Sequence, residues 1–184
     1  MAATTPEPEM GMKAPDFTLP GIDGASHALG ELAGPNGTVI VFICNHCPYV
    51  RAITGRLNED VAAMRAFGVE TVAICSNDAT AYPDDSFENM KRFAAERGFG
   101  FPYLHDRTQE VARAYGAVCT PDFFGFDAAL QLRYRGRLDA HRLEAPPDGY
   151  EHELVEAMRE IARTGQGPVR QLPSVGCSIK WKAA

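Results

Sequence analysis

Apolar positions along the chain follow two rhythms, and the switches between them outline one α/β domain. Thr38-Val39-Ile40-Val41-Phe42-Ile43 is a continuous β-branched and aromatic run, the pattern of a buried strand. Val50, Ile53, Leu57, Val61 and Met64 then recur at steps of three and four, which predicts a helix with one apolar face. Val69 to Cys75 predicts a second strand, parallel to the first, and the polar stretch from Ser76 to Asp85 a loop. Asp85 and Glu88 have the spacing of a capping box for a helix whose inner face is Phe87, Met90 and Phe93.

Further on the segments shorten. Phe101 to His105 predicts a brief extended piece, weakened as a central strand by Pro102. Asp106 to Gln109 repeats the capping pattern ahead of a short helix that stops at Gly116. Phe123 to Phe126 and Leu130 to Arg135 predict an antiparallel hairpin. Asp148 to Glu151 caps a last helix with Leu154, Val155, Met158, Ile161 and Ala162 inward. Near the start, extended pieces flanking Gly21-Ile22-Asp23-Gly24 predict a hairpin. Residues 1–10 are Pro- and Glu-rich and read as a loose N-terminus, 11–164 as the domain, and 165–184 as an aperiodic tail packed on or near it.

Candidate chemistry lies where the first strand gives way to the first helix, in Cys44-Asn45-His46-Cys47-Pro48. Two cysteines at CxxC spacing in a βα setting point to redox exchange. A helix N-terminus supplies free N–H groups and a positive dipole end, which favour a thiolate. The first cysteine of such a pair usually attacks, so Cys44 is the expected nucleophile and Cys47 the resolving thiol. His46 between them is a candidate donor to the Cys44 thiolate, and Pro48 suits the first helical turn. Cys75 reads as a small core residue. Cys119 and Cys177 are possible auxiliary thiols, Cys177 as a tail cysteine that folds over the site or merely packs. Metal ligation is the bland alternative; without a second close cysteine pair no resident metal or other cofactor is expected.

Composition narrows the partners. A chain of 184 residues with net charge −6 lacks the clustered basic face that nucleic acid requires. No apolar run is long enough to span a bilayer, and the first ten residues lack the order of a signal peptide. Five scattered cysteines do not make a secreted disulfide framework, so a cytoplasmic protein with mostly reduced thiols is expected.

The order β-α-β-α, hairpin, helix, with CxxC after the first core strand and Thr120-Pro121 before the hairpin, resembles the thioredoxin fold. The opening Ala14-Pro15-Asp16-Phe17-Thr18-Leu19 resembles the peroxiredoxin and redoxin branch. Cys44 to Val50, Cys119-Thr120-Pro121-Asp122-Phe123-Phe124 and Pro173 to Lys182 look like the peroxiredoxin-like thioredoxin-family proteins of bacteria. The resemblance implies a mixed sheet flanked by helices, with an N-terminal hairpin extension and a C-terminal tail. It also implies a cis Thr120-Pro121 bond facing the cysteines, with Asn45, Pro48, Thr120 and Pro121 as substrate-binding surroundings. Peroxiredoxins carry Pro-xxx-Thr-xx-Cys; here Ile40 stands at the proline position, Cys44 at the threonine, and Cys47 at the peroxide-reacting cysteine.

The expected function is thiol–disulfide exchange with a protein or small-molecule disulfide and a thiol electron donor, by a monomer or homodimer. Peroxide reduction at Cys47 is the alternative, and Cu(I) binding by Cys44, Cys47 and His46 a third reading.

Overall fold

A computed structural model describes residues 2–183; Met1 and Ala184, the outermost residues of the expected N-terminus and tail, lie outside them. The strands are β1 (Ala2–Thr4), β2 (Thr18–Pro20), β3 (Ser26–Ala28), β4 (Gly37–Phe42), β5 (Val69–Cys75), β6 (Tyr103–His105), β7 (Cys119–Thr120), β8 (Asp122–Phe126), β9 (Leu132–Gly136) and β10 (Val175–Ser178). The helices are α1 (Leu29–Leu32), α2 (Pro48–Arg65), α3 (Phe87–Arg97), α4 (Glu110–Tyr115) and α5 (Glu153–Thr164). Five strands form the central sheet in the order β6-β5-β4-β8-β9, with β4, β5 and β6 parallel and β8 and β9 antiparallel. This is the mixed sheet of the expected thioredoxin fold, and β2 and β3 form the expected N-terminal hairpin.

Alternation along β4 divides the core. Val39 and Val41 pack beneath α2, α3 and α5, whereas Ile40 and Phe42 pack with Phe17, Leu29 and Tyr115 on the other face. All five residues predicted for the apolar face of α2 are buried. Pro102 precedes β6, which lies at the sheet edge as a nearby proline requires.

Three expectations are corrected. Ala2–Thr4 is a strand paired with β10, so the N-terminus is not loose throughout. Asp85 does not cap α3: Ser86 does, its hydroxyl accepting from Asn89 N–H. The last helix begins at Glu153, with His152 at its N-cap and no side-chain cap, because Asp148 to Glu151 precede it. The aperiodic tail contributes β10, the middle strand of a small sheet β1-β10-β7 that meets the loops after β4 and β5 through Cys47 to Thr120 and Lys180 to Asn77.

Candidate active site

Parallel strands deliver the loops at their carboxyl ends to one side of the sheet, where α/β sites form. Here the turn after β4 carries Cys44 to Cys47, the loop after β5 carries Asn77, Tyr82 and Asp85, and β7 brings Thr120 across from the other side. Cys47 is the N-cap of α2, and Pro48 is its first helical residue, in the first turn as the sequence implied. The Thr120-Pro121 bond is cis, as the resemblance implied.

Both cysteines of the motif are completely buried at 0% exposure. The Cys44 thiol meets the Thr120 hydroxyl at 3.3 Å, and the Cys47 thiol, when protonated, donates to the Thr120 carbonyl at 3.2 Å. The pair is asymmetric. A hydrogen bond from Cys44, with the Cys177 thiol and the Val50 N–H adding to it, pulls Cys47 down to about 5. Cys44 is driven far the other way by holding the shared proton, by burial and by the negative charge of Asp85. The asymmetry favours the proton on Cys44 and the anion on Cys47.

Asp85 organises the polar side of the motif. Fully buried, it accepts from Asn45 N–H at 2.8 Å, from Asn77 Nδ2 at 2.7 Å and binds His46 Nδ1 at 2.7 Å. His46 stacks on Tyr82 with ring centres 5.7 Å apart. The predicted donor to Cys44 thus spends its Nδ1 on Asp85. Asn45, expected at the substrate, is saturated from within: its Nδ2 donates to Asp84 O, its Oδ1 accepts from Tyr103, and its carbonyl accepts from Arg51 Nε. It holds the loop in place. Thr120, likewise expected to meet substrate, spends its hydroxyl and carbonyl on the two cysteines and its backbone on β10.

The remaining cysteines separate. Cys75 is buried in the core, its thiol pushed up to about 12 by burial. Cys119 is buried and donates to Pro121 O at 3.5 Å, with burial raising its pKa. Cys177, half-buried, lies directly opposite Thr120 across the β7–β10 ladder and packs against the cluster that holds Cys44 and Cys47. Burial first, and then the neighbouring Cys47, lift the Cys177 thiol to about 11.

Among the described residues, Cys44, His46 and Asp85 are the group whose ligand atoms suit a metal, all within 4.8 Å of one another. An ion there would have to displace the proton between His46 and Asp85 and reconcile a soft sulfur with a hard carboxylate. Asp85, Asn77 and Tyr82 were not picked out from sequence. The available signal was positional: a polar loop at the end of a strand parallel and adjacent to the one bearing CxxC.

The chain matches the model of the AhpC/TSA family over residues 10–135. It is 29% identical to the thiol-disulfide oxidoreductase ResA of Geobacillus thermodenitrificans over 64% of its own length, and spans 63% of that relative's length. A crystal structure of an uncharacterised conserved protein from Geobacillus kaustophilus superimposes with a TM-score of 0.94 at 44% identity, covering 100% of this chain and 98% of that one. The thioredoxin domain of a thiol-disulfide oxidoreductase from Bacteroides vulgatus shares the fold, with a TM-score of 0.60 at 18% identity over 70% of this chain and 89% of the other. No helix among the described residues is long and apolar enough to cross a membrane.

Proposed function

Because the chain belongs to the AhpC/TSA family, we propose that it is an oxidoreductase of the thioredoxin and peroxiredoxin class, cycling Cys44 and Cys47 between dithiol and disulfide in exchange with a disulfide substrate and a thiol donor. One observation carries this reading: a CxxC pair sits at the N-terminus of α2 with Cys47 at its N-cap and both thiols against Thr120 of the cis Thr120-Pro121 bond, an arrangement that lowers Cys47 to about 5 and raises Cys44. In this reading the roles expected from the order of the motif are exchanged. Cys47 is the nucleophile, aided by the helix N-terminus, and Cys44 resolves. Asp85 keeps Cys44 protonated until Cys47 is spent as a thiolate; once Cys47 is in a mixed disulfide, the reason for Cys44 to hold that proton weakens and it can attack.

The test is titration of thiolate ultraviolet absorbance in the reduced protein. Wild type should show a step near pH 5. Cys47→Ser should remove it, and Cys44→Ser should move it toward the free-thiol value of about 8.5. Retained turnover of a disulfide substrate in Cys47→Ser would overturn the reading.

A second reading, thiol peroxidase, is favoured by the position of Cys47, which stands where peroxiredoxins place the peroxide-reacting cysteine. There Cys47 would attack the peroxide oxygen, becoming a sulfenic acid as water or alcohol leaves, and Cys44 would condense with it. Fast consumption of peroxide, with a sulfenic acid trapped on Cys47 in a Cys44→Ser, Cys177→Ser protein, would select this chemistry over disulfide exchange.

A further inference from the structure

A buried dithiol needs a route to partners in solution, and the tail blocks the obvious one. In a thioredoxin-like sheet the free edge beside the cysteines is where an extended polypeptide would add as a strand. Here β10 occupies that edge, pairing Cys177 with Thr120 and Ser178 with Cys119, and β1 closes its outer side through Ala2–Cys177, Ala3–Gly176 and Thr4–Val175. The strand is fastened at both ends. Ser174 Oγ donates to Pro121 O at 2.6 Å, Ile179 N–H to Val118 O at 3.1 Å, and Lys180 N–H to Asn77 Oδ1 at 2.9 Å. Through Asn77 this last anchor joins Asp85 and hence the CxxC loop.

Gly176 explains how the tail comes so close. A Cβ there would fall 2.0 Å from Thr120 O and 2.5 Å from its carbonyl carbon, so any larger residue would force β10 off the site. The result is a third sulfur packed against the buried pair, across the ladder from the Thr120 that contacts both cysteines, and partly open to solvent, whereas Cys44 and Cys47 have 0% exposure.

Resting on the dithiol reading above, we propose that Cys177 is the port of the active site: external disulfides and thiols exchange with Cys177, which relays the two electrons to and from the buried pair. In the oxidising direction, Cys177 passes its proton to Cys47 and attacks RS–SR, forming Cys177–S–SR and releasing RS⁻. Cys47 gives up the proton to RS⁻ and attacks Cys177 Sγ; a Cys47–Cys177 bond forms and the second RS⁻ leaves. Cys44 then attacks Cys47 Sγ, its proton going to that RS⁻, and Cys177 departs as a thiolate that becomes a thiol again on taking up a proton. The net change is one RS–SR reduced to two RSH and one Cys44–Cys47 disulfide formed. Lys180 beside Cys177 works against the burial that holds this thiol up.

The experiment treats the reduced full chain with a nitrobenzoate disulfide whose released thiolate is coloured, and maps adducts and bridges by mass spectrometry at short times. The expected result is a first adduct on Cys177, then a Cys47–Cys177 bridge, then Cys44–Cys47. In Cys47→Ser the adduct should stay on Cys177, and in Cys177→Ser modification of the buried pair should slow by about tenfold or more. Mapping the wild type needs no variant to fold. First modification of Cys47 in wild type, or an unchanged rate in Cys177→Ser, would overturn the port while leaving Cys44–Cys47 exchange intact. Failure of any bridge to form among the three cysteines would overturn the port and the dithiol reading together.

Discussion

Helix α2 carries an aspartate–histidine–tyrosine assembly at each end, and the two behave differently. At its N-terminus, Asp85 binds His46, which stacks on Tyr82. Farther along, Asp60 binds His152 at 2.5 Å, and His152 lies against Tyr150 with ring centres 4.3 Å apart. Both carboxylates are buried. Asp85, however, takes hydrogen bonds from three residues, whereas Asp60 has His152 on one oxygen and no protein partner on the other. Burial therefore prevails at Asp60 and lifts it to about 6, with Asp139 and Glu59 adding to the effect against His152. The same residue types leave the carboxylate fully hydrogen-bonded in one assembly and half-satisfied in the other, and the half-satisfied one is pushed up.

Removing the complete assembly should have the largest effect. Asp85→Ala strands three donors around the CxxC loop and should cost about 3–5 kcal/mol, read by chemical denaturation. It should also lower the Cys44 pKa, since the Asp85 charge raises it. An unchanged thiolate titration would break the link between Asp85 and the pair.

Asp60→Asn should act in the opposite direction. A carboxyl held near 6 in the folded chain and about 3.9 in the unfolded one binds more protons folded between those values, so wild-type stability falls as pH rises from about 4 to 6. The loss amounts to about 3 kcal/mol at most, and above pH 6 it is complete. The asparagine variant should lack that slope and be the more stable protein at pH 8. A parallel pH profile for the two proteins would show that burial does not hold the Asp60 carboxyl up.

His152→Ala sharpens the same contrast at smaller scale. It removes the favourable neighbour of Asp60, so the carboxyl should titrate above 6, with a loss of about 1–2 kcal/mol at neutral pH.

What was legible follows from where the information resides. The face of α2 could be read because its five apolar residues meet one core, and the CxxC because its chemistry is local. Asp85 could not, because Asp85 and Ser86 offer adjacent cap candidates and only the fold shows that Ser86 takes the role. The tail strand was invisible for another reason. Val175 to Ser178 is too short for a period, and its position is set by backbone pairing to Ala2–Thr4 and Thr120, far away in sequence. The surroundings that set Cys44 apart from Cys47, Asp85 and Cys177 among them, come from distant segments, so the asymmetry of the pair was beyond a local motif.

The smallest effect concerns the two tyrosines. Tyr82 presents its ring face to His46, and Lys180 from the tail lies 5.7 Å from the same ring, so this tyrosine joins the CxxC loop to the strand that bears Cys177. Tyr150 has only its ring to offer: its hydroxyl is buried with no protein partner among the described residues. Tyr150→Phe should therefore leave stability unchanged or raise it by about 1 kcal/mol, since it removes a desolvated group and no bond. A loss of stability in the denaturation midpoint would mean that the hydroxyl is satisfied in solution, and that the second assembly is as complete as the first.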